Sequence, residues 1–162
     1  MPYKRKTWQE KLEDPKSMPK IVPFQANFPC RRSLEKMGAK IGDSVVLAPP
    51  SDVLAIMSTI PKGKLITLTQ ICERLALKHG AQYCCTLTTG IFITIVANAT
   101  EETGSDMPFW RTIKNNGELN PKYPGGVERQ KTLLEDEGYT IFQKGKKHIR
   151  YIVKDFERFL GK

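Results

Sequence analysis

Four cysteines and two histidines are the side chains of this chain best suited to covalent chemistry. Cys84 and Cys85 are neighbours, and a vicinal thiol pair suggests redox or nucleophilic work if a thiolate can form. Cys30 and Cys72 add no C-x-x-C spacing and no Cys/His cluster, so neither zinc nor another metal is expected, and no cofactor is implied. Free cysteine is most often a small buried hydrophobe, and four reduced thiols used for packing are the expected state. His79 and His148 stand far apart in sequence, read as surface residues, and form no catalytic dyad.

The elements that must hold any site come from a chain of 162 residues, 40% apolar, with 26 Lys and Arg against 17 Asp and Glu. That is enough chain for one globular domain with its own core. Residues 91–97 are the longest strongly apolar run, far below the roughly 20 residues a membrane-spanning helix needs. The N-terminus is basic but carries acidic residues and no apolar run behind it, which argues against a secretory signal or transit peptide. A cytoplasmic protein with no membrane partner is expected. The net charge of +9 is uneven: residues 1–40 carry +6, residues 41–140 carry −2 and residues 141–162 carry +5. Attraction to a polyanion is therefore expected from the flanks.

Residues 6–14 suit a short helix with Trp8 and Leu12 one turn apart, docking as an arm. Residues 15–50 hold six of the eleven prolines, so extended chain is expected there, with Val45, Val46 and Leu47 as the best strand. Ser51 is placed to cap a helix bearing Val53, Leu54, Ile56 and Met57, stopped by Pro61. Thr67 and Gln70 have the spacing of a capping box, and Gly80 supplies a left-handed stop after Ile71, Leu75 and Lys78. Residues 88–103 are rich in β-branched residues, which favours a strand, but Leu87, Ile91, Ile95 and Ala99 recur every four residues and predict a helix. Asn115 to Gly117 reads as a turn. Gly125 and Gly126 precede a helix over 127–137 that Gly138 ends, with Leu133 and Leu134 on its core face. Two apolar-polar runs, 140–143 and 148–153, predict a hairpin with a basic tip, followed by a short helix with Phe156, Phe159 and Leu160.

Two stretches carry a family signature together: residues 60–71, Ile-Pro-Lys-Gly-Lys-Leu-Ile-Thr-Leu-Thr-Gln-Ile, and Pro108-Phe-Trp-Arg111 followed by Tyr123-Pro-Gly-Gly126 and residues 133–138. They resemble the DNA-binding domain of the O6-alkylguanine-DNA alkyltransferases and of the alkyltransferase-like proteins, which lack the acceptor cysteine. The resemblance covers roughly residues 51–139. It implies an α+β, mainly helical, winged helix-turn-helix-like domain over 51–139, to which the residue pattern adds an extended N-terminal arm over 1–50 and a basic hairpin with a short helix over 140–162 packed on the same domain.

In that family a P-C-H-R motif presents the cysteine whose thiolate takes the alkyl group, the histidine is its base through water, and a downstream glutamate orients the histidine. Here Pro108 is followed by Phe109 at the cysteine position and Trp110 at the histidine position, while Arg111 and Glu137 match. The alkyltransferase-like proteins usually place tryptophan at the cysteine position and keep the histidine, so the aromatic pair departs from them too. A nucleophile and its base are both missing, and no alkyl transfer is expected at this site. The family tyrosine that helps rotate the nucleotide aligns with Leu68, and its arginine finger falls near Leu87. No lysine or arginine occurs between Lys78 and Arg111, which leaves the presumed recognition helix without cations of its own.

The resemblance thus implies a non-catalytic DNA-binding protein for alkylated or otherwise damaged duplex. Tyr123, Phe109, Trp110 and Arg111 would form a pocket able to stack a planar ring, or alternatively the two new aromatics fill that pocket as core, with Arg111 paired to Glu137. Phosphate contacts are expected from Lys62 and Lys64, and above all from Lys144, Lys146, Lys147 and Arg150 on the hairpin. Two rival readings stand beside this one: a methyltransferase with a relocated acceptor at Cys84 or Cys85, and a protein-interaction scaffold that inherited the fold.

Overall fold

Helix formation in this chain is decided more by burial than by local preference, as its longest helix makes clear. In the computed structural model, which describes residues 5–161, the elements run α1 (Trp8–Glu13), β1 (Lys20–Pro23), α2 (Arg31–Lys36), β2 (Ser44–Leu47), α3 (Pro50–Met57), β3 (Ile66–Thr67), α4 (Leu68–His79), β4 (Tyr83–Cys84), α5 (Thr86–Thr103), a 3₁₀ turn (Phe109–Arg111), β5 (Thr112–Ile113), α6 (Gly126–Asp136), β6 (Ile141–Lys144), β7 (Arg150–Val153) and a second 3₁₀ turn (Phe156–Phe159). Residues 86–103 are a helix, as their four-residue period predicts. Their threonines tolerate burial because the hydroxyls donate one turn back: Thr89 to the Cys85 carbonyl at 2.8 Å, Thr100 to Val96 at 2.8 Å and Thr103 to Ala99 at 2.9 Å.

The buried face of α5 follows the expected stripe only in part. Ile95 and Ala99 are buried as expected, with Phe92 and Val96 beside them, and Thr89, Ile93, Ala97 and Thr100 also face the core, whereas Leu87 and Ile91 remain 48% and 52% exposed. Its neighbours cause this. α1, α3 and α4 all pack against α5 and cover most of its circumference, leaving one open strip along its first turns.

α4 starts and stops as its sequence dictates. Thr67 Oγ1 accepts from the Gln70 amide at 3.3 Å, Gln70 Oε1 accepts from the Thr67 amide at 3.1 Å, and Gly80 closes the helix at φ +71°. α3 departs from expectation in its cap: Pro49 holds that position and Pro50 opens the helix, so Ser51 lies inside it and caps nothing. α2 interrupts a proline-rich stretch expected to be extended. It is short and uncapped by any side chain, and depends on buried Leu34 and a 2.7 Å Arg31–Glu35 pair one turn apart. His79 also corrects a surface assignment, since it is half-buried with Nε2 2.7 Å from Asp52 Oδ2, joining α4 to α3 beside a 2.9 Å Lys78–Asp52 pair.

Three small sheets complete the fold. β2 is central in the first, antiparallel to β1 with Ile21 opposite Val46, and parallel to β4 with Val46 opposite Cys84. β3 and β5 pair in parallel, bringing residues 66–67 beside residues 112–113, and β6 and β7 form the expected hairpin. Strand alternation sends the vicinal thiols apart. Cys84 enters the main core with Cys72, and Cys85 enters a second cluster with Cys30, their sulfurs 3.1 Å apart. All four cysteines are free and buried. Among the described residues no helix is long and apolar enough to cross a membrane, and no group of three or more acidic, histidine or cysteine side chains is placed to hold a metal ion.

Candidate nucleic-acid interface

The Pro108–Arg111 turn sits at the end of α5, and its first ring decides what the motif can do. Phe109 is 2% exposed, with Trp110 edge-on at 5.5 Å and Tyr123 edge-on at 5.4 Å between ring centroids. Tyr123, itself 3% exposed, donates its hydroxyl to the Thr112 carbonyl at 2.8 Å, and burial pushes its ionisation well above the usual tyrosine range. Three interlocked rings thus fill the place where the resemblance leads one to expect a nucleophile and its base. An aromatic block of this kind is core, and nothing can stack between Phe109 and Tyr123 without unpacking it.

Arg111 and Glu137 form the polar half of the motif. Arg111 Nε donates to both carboxylate oxygens at 3.0 and 3.2 Å, Nη2 donates at 2.6 Å, and Nη1 donates to the Ile60 carbonyl at 2.7 Å. Both side chains are mostly buried. Burial alone would push the Glu137 carboxyl up, but the Arg111 hydrogen bonds outweigh it and hold the group below its ordinary value. The pair clamps α6 to the segment before β3.

Gln130 carries no signature in the sequence, yet it orients everything around the motif. It is fully buried on α6, its Nε2 donating to the carbonyls of Trp110 at 3.1 Å and Thr112 at 3.3 Å, while Oε1 accepts from the Asn120 amide at 2.8 Å. A glutamine at helical spacing from Leu134 carries nothing that separates it from a solvent-facing residue. Gln130→Leu keeps the volume but removes the Gln130 partner of the Trp110 carbonyl and the Asn120 amide, while the Thr112 carbonyl keeps the Tyr123 hydroxyl, so we expect a loss of about 1–3 kcal/mol in urea unfolding. A stability equal to that of the parent would show that the three hydrogen bonds contribute nothing.

Beside the aromatic block, a cavity of about 690 Å³ runs along the open strip of α5. Leu87, Gly90, Ile91 and Thr94 form its helical wall, with Leu68 and Tyr123 also bordering it. Four cations reach the same cavity from elsewhere: Lys11 on α1, Arg32 on α2, Lys114 after β5 and Lys122 in the loop before α6. No carboxylate lines it. Among the described residues none of the four forms an ion pair; Lys11 lies 4.3 Å over the Trp8 ring. The missing cations of the helix are thus supplied through space, by residues too scattered in sequence to read as a patch.

Of the positions expected to carry the family motif, Phe109, Trp110 and Tyr123 pack together, Arg111 and Glu137 pair, and Pro108 is half-buried at the start of the turn; of the six only Tyr123 borders this cavity. The six cations expected to touch phosphate lie elsewhere. Lys62 and Lys64 are exposed in the turn before β3, Lys144, Lys146 and Lys147 are exposed on the hairpin, and Arg150 is 3.4 Å from Glu118. None of the six lines the cavity.

Residues 49–139 match the family model for the DNA-binding domain of 6-O-methylguanine DNA methyltransferase. No curated protein matches the chain. Two solved structures share the fold, both from S. pombe. One is Atl1 in complex with damaged DNA containing O6-carboxymethylguanine, 23% identical with a TM-score of 0.51; the other is an ATL in complex with DNA, 21% identical with a TM-score of 0.52. Each likeness covers 70% of this chain and 94% of the other.

Proposed function

The chain belongs to the 6-O-methylguanine DNA methyltransferase family through its DNA-binding domain, and from that premise we propose that it binds duplex DNA, damaged duplex above all, without accepting an alkyl group. The observation that carries this reading is the cavity along α5, apolar on its helical wall and bordered by four cations that form no ion pair among the described residues, none of which places a carboxylate in its lining. A polyanion with flat apolar faces is the partner such a surface suits. The S. pombe structures, which hold DNA on the same fold, lend the reading support.

Loss of transfer chemistry follows from Phe109 and Trp110, since neither ring can act as nucleophile or base. A relocated acceptor is poorly served by the thiols. Cys84 is buried with its sulfur 3.3 Å from Thr89 Oγ1, and Cys85 is buried against Cys30, whose thiol is pushed up to about 12 by burial and the Cys85 contact. Burial closes both sulfurs to an incoming alkyl carbon, which makes either a poor acceptor.

Fluorescence anisotropy with matched duplexes containing or lacking O6-methylguanine tests the proposal. We expect micromolar or tighter binding that weakens linearly in log affinity against log salt, stronger for the modified duplex. Intact-mass measurement after incubation should show no methyl adduct. Binding that is absent at low ionic strength, or indifferent to salt, would sink the DNA reading and leave the scaffold alternative; a methyl adduct lost on Cys84→Ser/Cys85→Ser would establish the relocated acceptor.

A further inference from the structure

We infer that the segment ahead of the family-matched region is part of the DNA-binding surface, with Lys11 and Arg32 as phosphate contacts that the recognition-like helix lacks. This rests on the DNA-binding reading and adds to it the residues that set its strength. The matched region begins at residue 49, so α1 and α2 lie outside it. Both nonetheless form wall of the α5 cavity: Lys11 comes from α1 and Arg32 from α2, joining Lys114 and Lys122 from the matched region. Two of the four cations therefore belong to sequence that the family pattern does not contain.

The segment is fixed in place by contacts that a loosely tethered arm would not make. Glu102 at the end of α5 accepts from the Trp8 and Gln9 amides, both at 3.1 Å, through its two carboxylate oxygens. Leu12 is buried in the main core. At the other end of α5, Cys30 meets Cys85 with sulfurs 3.1 Å apart, and β1 pairs with β2 across four residues. α1 and α2 are thus held at opposite ends of the helix whose exposed strip they border. Lys11 and Arg32 are positioned rather than trailing, so their charge is delivered without a large ordering cost on binding.

The charge of the cavity commits the occupant. Four cations with no carboxylate among them would repel a basic or mixed-charge protein surface and favour a phosphate backbone, while Leu87 and Ile91 between them offer apolar contact to sugars and base edges. Arg32 supplies a planar fork for phosphate and Lys11 a point charge.

Counterion release gives a quantitative test on the full chain with duplex DNA. Neutralising one phosphate-binding cation should flatten the slope of log affinity against log salt by about 0.9, so Lys11→Gln/Arg32→Gln should flatten it by about 1.8 and weaken low-salt binding roughly tenfold. Lys36→Gln/Lys40→Gln removes the same charge from the same segment at residues outside the cavity, and should leave the slope within about 0.5 of the parent. Glutamine keeps a polar side chain of similar reach, and equal thermal midpoints establish that each variant is folded. If the parent binds but both double variants match it, or both flatten the slope equally, the inference fails while the DNA reading stands. If the parent does not bind at all, the DNA reading fails and takes this one with it.

Discussion

Glu137→Ala should cost the chain about 3–5 kcal/mol of stability, because it leaves the buried Arg111 guanidinium, among the described residues, with only the Ile60 carbonyl as a hydrogen-bond partner and the Trp110 ring beneath it. The magnitude comes from the asymmetry of buried ion pairs. Replacing both members by apolar side chains can be nearly neutral, but removing one leaves a desolvated charge. A double variant, Glu137→Leu/Arg111→Met, should therefore recover much of the loss, which adding the effects of two single substitutions would not anticipate. The pair also sets an acid limb. The folded-state carboxyl is held below its ordinary value of 4.5, so the pair's contribution is complete above that value and fades as pH falls through the lower folded value. Urea unfolding across that range should show the parent losing stability more steeply than Glu137→Ala, whose acid limb lacks this component. Equal slopes would mean that the carboxylate contributes nothing through its charge.

The parts legible in the sequence are those governed by local rules. The capping box at Thr67 and Gln70 and the left-handed stop at Gly80 need only neighbouring residues, and α4 forms as they dictate. The period of residues 86–103 outweighs their strand preference because threonines can bond within a helix, yet it gives the buried face only in part: Ile95 and Ala99 are buried, Leu87 and Ile91 are not. That face is set by α1, α3 and α4 packing around α5, and the same packing leaves Leu87 and Ile91 in the open. α2 is hidden in the sequence because prolines flank it and no side chain caps it. The motif residues of the aromatic block are recognisable by type and spacing, but whether their rings line a pocket or fill it depends on Tyr123 arriving from a separate loop. The cations of the α5 cavity are the least legible of all. They come from α1, α2, the residue after β5 and the loop before α6, and only the folded chain makes them neighbours.

Phe109 tests whether a thiol placed in the Pro108–Arg111 turn could take an alkyl group, and we expect that it cannot. Phe109→Ala should destabilise by about 3–5 kcal/mol, since it empties the centre of a ring cluster in which Trp110 and Tyr123 both rest edge-on against Phe109. Phe109→Cys puts sulfur where the family's acceptor is expected while leaving most of that void. Three features keep it from taking an alkyl group. The position is buried, Trp110 stands where a base would have to accept the thiol proton, and Glu137 is committed to Arg111 instead of an imidazole. Adding Trp110→His supplies a ring nitrogen but removes a second wall of the cluster, so the double variant should be less stable than either single substitution. Intact-mass measurement after incubation with O6-methylguanine duplex should find no methyl adduct on Phe109→Cys, with urea unfolding confirming that the variant retains a cooperative transition. A stoichiometric adduct on the folded Phe109→Cys chain would mean that the aromatic block opens readily enough to admit a flipped base, and that packing at Phe109 is no barrier to alkyl transfer.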